Sequence, residues 1–417
     1  MRAFLRSGSM SPPQDLDEFL DHLAEGIGRP ARRANLHEYC LRLLEGMGID
    51  THLAAPQALP AGSARHQAQH HFIAKADWPD DEVQRRARAW IRDALEDIPD
   101  TVWLVEAVEI AKRGRHSVGV ARQYGTTPGR HANCQIAIAV TLARRTDSLP
   151  LTCRLHLPEE WARNPERCRL AGVPPEQGSA TRADIALQQL SQLMNHGFSR
   201  RLVFADSRMA PDPAFRRGLD ALGLAYLLAI PASTVLRRGN DSSWTAGALA
   251  QSLPADAYRT IPAEAGDAGA AFERFAALRV TPGDTGHSSR ECWLLVEHRG
   301  ADSPAIGCEL ISLPATATLQ ELVRLHRTRR RLDSLRFTTA HKLQLAHYAG
   351  RGWRGFHHHA SLALAMLAFI TVRRWEAARA EPLPMDTGPH ANGSEHPEPA
   401  RETNTMHRAR RVDAQTS

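Results

Sequence analysis

Apolar positions along the chain change their spacing from one region to the next, and this change predicts the order of secondary structure. Residues 15–98 carry apolar side chains at helical spacing, as in LDEFLDHLAEGI and LHEYCLRLLEGM, and predict a helical N-terminal domain. From residue 99 to about residue 233, short apolar runs alternate with helical segments such as RADIALQQLSQLMNHG. This alternation is typical of an α/β layer fold.

Three short runs in the α/β region are continuously apolar, which is the pattern of strands buried on both faces of a sheet. They are residues 102–105, 136–140 and 202–205. A carboxylate follows the first run at Glu106 and the third run at Asp206. The sequence therefore predicts that two strands of a mixed sheet end on acids that converge at one edge, an arrangement suited to a divalent metal.

The rest of the chain is divided by its composition. Gly, Pro, Ser and Asp punctuate short strand candidates in the region that predicts a β-rich insertion, and the last residues have too few apolar side chains to offset the entropy of ordering. The predicted organisation is a flexible N-terminus (1–14), the helical domain (15–98), the first part of the α/β domain (99–233), the insertion (234–313), the helical completion of the α/β domain (314–380) and a disordered tail (381–417).

Composition favours a soluble protein with an anionic partner. The chain has 417 residues, 42% of them hydrophobic, a formal net charge of +6 and a pI near 9.2. Only Lys75, Lys112 and Lys342 are lysines among the 52 basic residues, and arginine suits bidentate contacts to phosphate, although an arginine-rich genome explains the same bias. The six cysteines form no Cys-x-x-Cys pair, which predicts free thiols in a reducing compartment. The longest apolar stretch, 361–372, is too short to span a bilayer, so the sequence predicts a cytoplasmic protein.

Two histidine clusters, at residues 66–71 and 357–359, invite a metal interpretation that their spacing does not favour. A zinc site needs converging ligands in tetrahedral geometry, whereas adjacent histidines on a helix point in different directions. The sequence therefore does not predict a zinc site.

Five motifs, in order along the chain, resemble those of one family. They are RHQAQHHF at 65–72, GRHSVGVARQY at 114–124, NCQ at 133–135, LHLPEEWARNPERCRLAGVP at 155–174 and HYAGRGWRGFHHH at 347–359. Together they make the region from about residue 65 to residue 372 similar to the DDE-type transposases of bacterial insertion sequences. The resemblance implies an α/β fold with an RNase H-like mixed sheet, flanking helices and a β-rich insertion.

The reaction of the resembled family is phosphoryl transfer at DNA ends, in which carboxylates hold two Mg²⁺ or Mn²⁺ ions about 3.5–4 Å apart. The resemblance places the catalytic and metal-binding acids at Asp206, Glu106 and Asp333. It also implies double-stranded DNA, the transposon ends, as the substrate. Two copies of the protein are expected to pair two ends as a homodimer, near the nucleoid and without a membrane partner.

Two of these three acids depart from the family pattern. Relatives have Asp-Asp-Thr where this chain has Glu106, Ala107 and Val108, and they have a glutamate at Asp333 and a lysine at Ala340. A change of one methylene displaces a ligand by about 1 Å, and misplacement of that size lowers a rate by roughly 10²-fold. The resemblance therefore predicts impaired catalysis and a weakened or lost metal site. A working transposase, a non-catalytic transposase-derived DNA-binding protein and a decayed remnant remain open.

A cluster of arginines around Asp333 is the predicted DNA-binding surface, because neighbouring cations repel one another unless an anion lies near. The predicted DNA contacts are Arg329, Arg330, Arg331, Arg122 and Lys112. Solvated surface charge is the alternative interpretation of these cations. For the acids the alternatives are a solvated strand end at Glu106, a loop or helix N-cap at Asp206 and an ion-paired helix residue at Asp333.

Overall fold

The computed structural model of the chain places most of the predicted elements. It describes residues 14–49, 62–96, 98–124, 131–144, 147–178, 180–206, 208–239, 243–262, 272–283, 290–298, 306–333 and 338–380. The predicted flexible N-terminus lies outside the described residues apart from Gln14, and the predicted disordered tail lies outside them entirely. Contacts group residues 1–376 into one compact unit and residues 377–417 into another. The domain boundaries inside the first unit stay a prediction.

Helices form where the apolar spacing predicted them, in the N-terminal region, in the α/β region and after the insertion. Among the described residues they are α1 (Gln14–Glu25), α2 (Pro30–Gly46), α3 (Ala64–Ala74), α4 (Asp80–Glu96), α5 (Glu159–Ala162), α6 (Pro165–Leu170), α7 (Arg182–Asn195), α8 (Pro213–Ala221), α9 (Ala246–Ser252), α10 (Leu319–Asp333), α11 (Thr339–Lys342) and α12 (Trp353–Ala380). In helix α7, local sequence signals explain where the helix begins and ends. Thr181 and Asp184 form a reciprocal capping box at its start, and Gly197 follows its end with a positive φ of 87°.

Strands occupy the α/β region and the predicted β-rich insertion. Those described are β1 (Val102–Ala111), β2 (Ala121–Tyr124), β3 (His131–Arg144), β4 (Asp147–His156), β5 (Val203–Ala205), β6 (Tyr226–Ile230), β7 (Val235–Arg237), β8 (Trp244–Thr245), β9 (Arg259–Pro262), β10 (Phe272–Pro282), β11 (Cys292–His298) and β12 (Ile306–Ile311). The region predicted as a β-rich insertion is therefore confirmed as rich in strands.

The twelve strands in the described part of the chain form one mixed sheet. Its order is β2-β3-β1-β5-β6-β12-β11-β10-β7-β8, with β4 paired to β3 and β9 paired to β10. Strand β1 is antiparallel to β3 and parallel to β5, and β5 is parallel to β6. This pattern confirms the predicted RNase H-like α/β fold. The insertion extends the sheet, because β12 pairs with β6.

Alternation along β1 distributes its side chains between the two faces of the sheet. Trp103 and Val105 pack in a core with residues of α4, α7 and α8, while Val108 and Ile110 pack in a core with residues of α1 to α3 and α12. The N-terminal helices therefore share a core with the sheet. All six cysteines are free thiols, and all but Cys168 are buried, as the sequence predicted.

Helix α12 forms the centre of one of these cores. Residues 353–377 are long and apolar enough to cross a membrane by length and composition, but 94% of their apolar window is buried inside the protein. The helix extends beyond both ends of the apolar stretch 361–372 and includes three buried histidines, His357, His358 and His359. Their burial explains why polar residues occur in a core helix.

Burial favours the neutral form of two of these histidines, His357 and His359. His357 contacts the carbonyl oxygen of Trp353 through Nδ1 at 2.9 Å, and its Nε2 accepts from the backbone N–H of Leu155 at 3.3 Å. One ring nitrogen of His357 thus donates while the other accepts. Burial lowers the pKa of His357 to about 3 and the pKa of His359 to about 4. These histidines are packed and hydrogen-bonded inside the protein.

The buried histidines make stability depend on acid pH. The unfolded chain takes up protons at these side chains near pH 6.5, whereas the folded protein does not until its lower pKa values are reached. The free energy of unfolding is therefore expected to fall as the pH drops from about 6.5 to about 4, by on the order of a few kcal/mol at about 1.4 kcal/mol per pKa unit. Urea unfolding at a series of pH values measures this fall.

A histidine variant tests the source of the pH dependence. His357→Leu removes one of the titrating groups, so its unfolding free energy is expected to change less with pH than that of the unsubstituted protein. The matched control is His116→Leu, because His116 is exposed. An equal pH dependence in His357→Leu and His116→Leu would contradict the prediction.

Candidate functional site

Glu106 lies in the middle of β1, so the prediction that this acid ends its strand is wrong. Strand β1 stays paired with β3 from Val102 to Ala111. The Glu106 side chain is only 2% exposed, and its Oε1 accepts hydrogen bonds from the hydroxyls of Thr141 at 2.9 Å and Thr339 at 2.7 Å. These donors stabilise the carboxylate inside the protein. The strand therefore has no need to end where the acid occurs.

Asp206 directly follows β5, as the sequence predicted. Its carboxylate is buried and accepts three backbone hydrogen bonds: from Arg208 at 2.9 Å and Met209 at 3.2 Å to Oδ1, and from Ala107 at 3.0 Å to Oδ2. The first two bonds fix the turn after β5. The third ties this turn to β1, one residue from Glu106.

Arg208 places a cation on the Asp206 carboxylate. Its Nη2 donates to Asp206 Oδ2 at 3.2 Å and to the carbonyl oxygen of Ala107 at 2.9 Å, and its side chain is 23% exposed. Analysis of the sequence did not identify Arg208 as part of the site. The available signal was its position, two residues after a predicted metal ligand.

Further charges surround Asp206 and Arg208. Arg182, at the start of α7, has a lowered pKa, first because of burial and then because of the charge on Arg208, while Asp206 opposes the shift. Burial, followed by the charge on Arg182, lowers the pKa of His156 to about 4. Burial, followed by the negative charge on Glu109 of β1, raises the pKa of Cys134, while Arg182 and Arg208 oppose that shift. The acids here are therefore matched by arginines.

Asp333 is the last residue of α10 and forms an ion pair within that helix. Its Oδ2 accepts from Arg329 Nη1 at 3.0 Å, one helical turn earlier, and the Asp333 side chain is 38% exposed. Arg329 also donates through Nε to Glu309 of β12 at 2.7 Å. The contacts of Asp333 thus lead through Arg329 to the insertion, which matches the alternative interpretation of this acid as an ion-paired helix residue.

The arginines of α10 differ in how far glutamates of the insertion neutralise them. The side chain of Arg329 is 12% exposed, and that of Arg330 is 46% exposed and pairs with Glu273 of β10 at 3.1 Å and with Glu297 of β11 at 3.5 Å. Arg331 is exposed. Helix α10 is therefore fastened to strands β10 to β12 by ion pairs.

Lys112 and Arg122 have different surroundings. The Lys112 ammonium donates to the carbonyl oxygen of Tyr348 at 2.9 Å, and burial lowers its pKa. Arg122, on β2, is exposed. Lys112 therefore has a structural contact, whereas Arg122 is open to a ligand. The role of both residues in DNA binding stays a prediction.

The three predicted acids do not form a preassembled metal centre. Within the described ranges, no group of three or more His, Cys, Asp or Glu side chains could hold a metal ion. Glu106 lies within β1 and Asp206 is hydrogen-bonded to Ala107 of β1, whereas Asp333 ends α10. Their catalytic and metal-binding roles stay predictions.

Residues 112–120, which we call the cationic connection, join β1 to β2 and are held by side-chain amides of β3. Asn133 donates to the carbonyl oxygen of Lys112 at 2.6 Å, and Gln135 donates to that of Val118 at 2.6 Å. Trp161 donates from its indole nitrogen to the last residue of the connection, Val120, at 2.8 Å. Two of the sequence motifs, NCQ and the segment 155–174, therefore serve to fix this connection.

The cationic connection displays Arg113, Arg115 and His116 to solvent. Neither Arg113 nor Arg115 has an acidic partner in the part of the chain that the structure describes. The connection also lies against the loop before α12, because the backbone N–H of Val118 donates to the carbonyl oxygen of Arg351 at 2.8 Å. It is a fixed, exposed and positively charged surface.

Comparison with known proteins identifies the lineage of this arrangement. Residues 22–281 match the family described as DDE superfamily endonuclease. No curated protein matches the chain. The matched region includes Glu106, Asp206 and the cationic connection, but it ends before α10 and Asp333.

The ion pairs of α10 predict different effects for two neighbouring arginines. Arg329→Ala leaves the buried Glu309 without its guanidinium partner and is expected to lower the free energy of unfolding by about 3 kcal/mol, since breaking a buried pair is strongly destabilising. Arg331→Ala, at an exposed position of the same helix, should change it by less than about 0.5 kcal/mol. Urea unfolding of both variants measures the difference. Equal effects would show that the buried pair does not fasten α10.

Proposed function

Because the chain belongs to the DDE superfamily of endonucleases, we propose that it acts on insertion-sequence ends as a transposase with impaired catalysis. Membership gives the chain a transposase- or nuclease-like function on DNA, and enzymes of this superfamily generally use divalent metals. One observation carries the proposed impairment, namely the ion pair between Asp206 and Arg208. It places a guanidinium on the acid that the resemblance assigns to the metal.

The electrostatics of this ion pair support a slow or absent chemical step. Both oxygens of Asp206 already accept hydrogen bonds, so Mg²⁺ or Mn²⁺ would have to displace Arg208 or the turn after β5. Glu106 is likewise engaged by Thr141 and Thr339. We propose that binding of DNA persists while metal-assisted cleavage and strand transfer at the transposon ends are weakened.

The cationic connection supports the proposed DNA contact. Arg113 and Arg115 are exposed on a backbone that Asn133 and Gln135 hold in place. Cations fixed in this way bind phosphates with little loss of side-chain and backbone freedom, and phosphate contacts supply most of the affinity for DNA. Arg122, on the adjacent strand β2, extends the same proposed surface.

A second candidate function is that of a non-catalytic, transposase-derived DNA-binding protein. The Asp206 ion pair favours it as well, because a carboxylate that is permanently paired with Arg208 contributes to folding instead of chemistry. In both candidates we propose that two copies pair two DNA ends as a homodimer in the cytoplasm, beside the nucleoid. The buried position of α12 is consistent with this location.

A nicking assay tests the catalytic part of the proposal. Purified protein is incubated with duplex DNA carrying its element's ends in the presence of Mg²⁺ or Mn²⁺. Because Asp206 is held by Arg208, nicking by the unsubstituted protein is expected to exceed that by Asp206→Ala by less than about ten-fold, against the roughly 10³-fold or larger losses usual for essential catalytic groups.

Binding of the same DNA in EDTA is the control that the protein is folded and competent. Rapid Mg²⁺-dependent nicking that Asp206→Ala abolishes would identify a working transposase and refute the impairment. Equal, low nicking by both proteins together with retained DNA binding supports the proposal. Absence of DNA binding would refute both candidate functions.

The salt dependence of DNA binding tests the cationic connection. The double variant Arg113→Ala, Arg115→Ala is expected to bind duplex DNA more weakly and to reduce the slope of log K against log salt by roughly 1 to 2, because each lost phosphate contact removes about 0.9. Fluorescence anisotropy over a salt series measures this slope.

Arg92→Ala is the matched control for the double variant. It also removes an arginine, whose side chain is 39% exposed, but the charge of Arg92 is already paired with Asp93 at 2.9 Å. An unchanged slope in the double variant would mean that DNA does not bind at the cationic connection.

A further inference from the structure

A cavity of about 380 Å³ lies between α2, α3 and residues 348–350. Tyr39, Ile73 and Tyr348 give it aromatic and apolar walls, and Gln69 contributes a side-chain amide. The volume falls within the range of sites for small organic groups. A Cβ atom at Gly350 would overlap the hydroxyl of Tyr348, so glycine at this position leaves room for the ring.

Two residues that line this cavity each have a buried polar atom with no hydrogen-bond partner among the described residues. Gln69 is 7% exposed, and its Nε2 donates to the carbonyl oxygen of Asn35 at 3.1 Å, which fixes the orientation of the amide. Its Oε1 is buried and lacks a donor, and so does the buried hydroxyl oxygen of Tyr348. Buried polar atoms in native proteins are nearly always paired. Both atoms are therefore suited to a ligand that carries N–H donors.

The cavity adjoins the cationic connection. Tyr348, which lines the cavity, accepts a hydrogen bond at its carbonyl oxygen from the Lys112 ammonium at 2.9 Å. Val118, at the other end of the connection, donates to Arg351 at 2.8 Å. A strand whose phosphates lie along the connection thus runs past the loop that closes the cavity.

We propose that this cavity receives one unpaired nucleobase of a DNA strand bound along the cationic connection. The inference rests on the proposed DNA function. Every nucleobase has an N–H donor on its Watson–Crick edge, which pairs with Gln69 Oε1, and an aromatic face that packs against tyrosine rings. The Tyr348 hydroxyl then pairs with a second polar group of the base. The cavity binds the base, while Arg113 and Arg115 of the cationic connection bind the phosphates of the strand.

Anisotropy with two labelled single strands of equal length and charge tests the proposal. One strand is oligo(dA), the other carries abasic sites, and both are measured in EDTA at one salt concentration. The unsubstituted protein is expected to bind oligo(dA) about ten-fold more tightly than the abasic strand, which is the size of one good hydrogen bond. Gln69→Leu should lose most of this preference and leave binding of the abasic strand unchanged.

A matched control separates the cavity from general damage to the fold. Gln189→Leu makes the same change at another buried glutamine, on α7, which does not line the cavity. It should keep the full preference for oligo(dA). Tyr348→Phe removes only a hydroxyl and provides a second variant if Gln69→Leu fails to fold, with an expected loss of about three-fold or more.

The outcomes distinguish this inference from the proposed function. Tight, salt-dependent binding of DNA with no preference for oligo(dA) over the abasic strand overturns the inference and leaves the proposed function standing. Equal losses in Gln69→Leu and Gln189→Leu also overturn it. Thermal stabilisation by dAMP alone, with no strand preference, would assign the cavity to a free nucleotide instead. Failure to bind any DNA would overturn the proposed function and the inference together.

Discussion

Strand β1 is the constraint on which the arrangement of this protein depends, because it is paired on both sides. Strand β3 fixes it over its whole length, and β5 fixes its first half through the parallel pairs that run from Trp103 and Val203 to Val105 and Ala205. The antiparallel side brings Asn133 and Gln135 to the cationic connection, and the parallel side brings Asp206 to Ala107. One strand therefore positions both the acids and the cations, although they serve different purposes.

The three acids that the resemblance assigns to the metal make contacts that hold the fold together. Glu106 is surrounded by hydroxyls, Asp206 is paired with Arg208, and Asp333 is paired with Arg329. A buried carboxylate with such donors is stable, but its oxygen atoms are less available to a metal ion. The residues that identify the family are therefore different from the residues that would perform the cleavage reaction. The motifs that identify the family hold the sheet and the cationic connection in place. Two of the acids proposed for cleavage, Asp206 and Asp333, instead make ion pairs with arginines, Arg208 and Arg329.

Much of the fold was predictable because it follows from local spacing. The apolar period predicted α1, α2 and α7 within regions expected to be helical, and the continuous apolar runs predicted β1, β3 and β5. The end of β1 at Glu106 was wrong, because an isolated acid in an apolar run indicates a strand end only when no buried donor is available. Thr339, more than two hundred residues away, supplies that donor. The ion-pair partners of Arg329 and Asp206 could not be predicted either, because a sequence shows how many charged residues it has but not which of them pair.

The proposed binding surface and the proposed catalytic centre make different structural demands. Metal-assisted cleavage requires several carboxylates placed to within about 1 Å, so redirecting one of them to an arginine suffices to impair it. Binding of a strand by the cationic connection requires exposed guanidiniums on a fixed backbone, and that backbone is held by amides that have no part in the acids' contacts. The cavity beside Tyr348 depends on the same loop contacts, through Lys112 and Arg351. The contacts that hold the proposed strand-binding surface are therefore separate from those of Asp206.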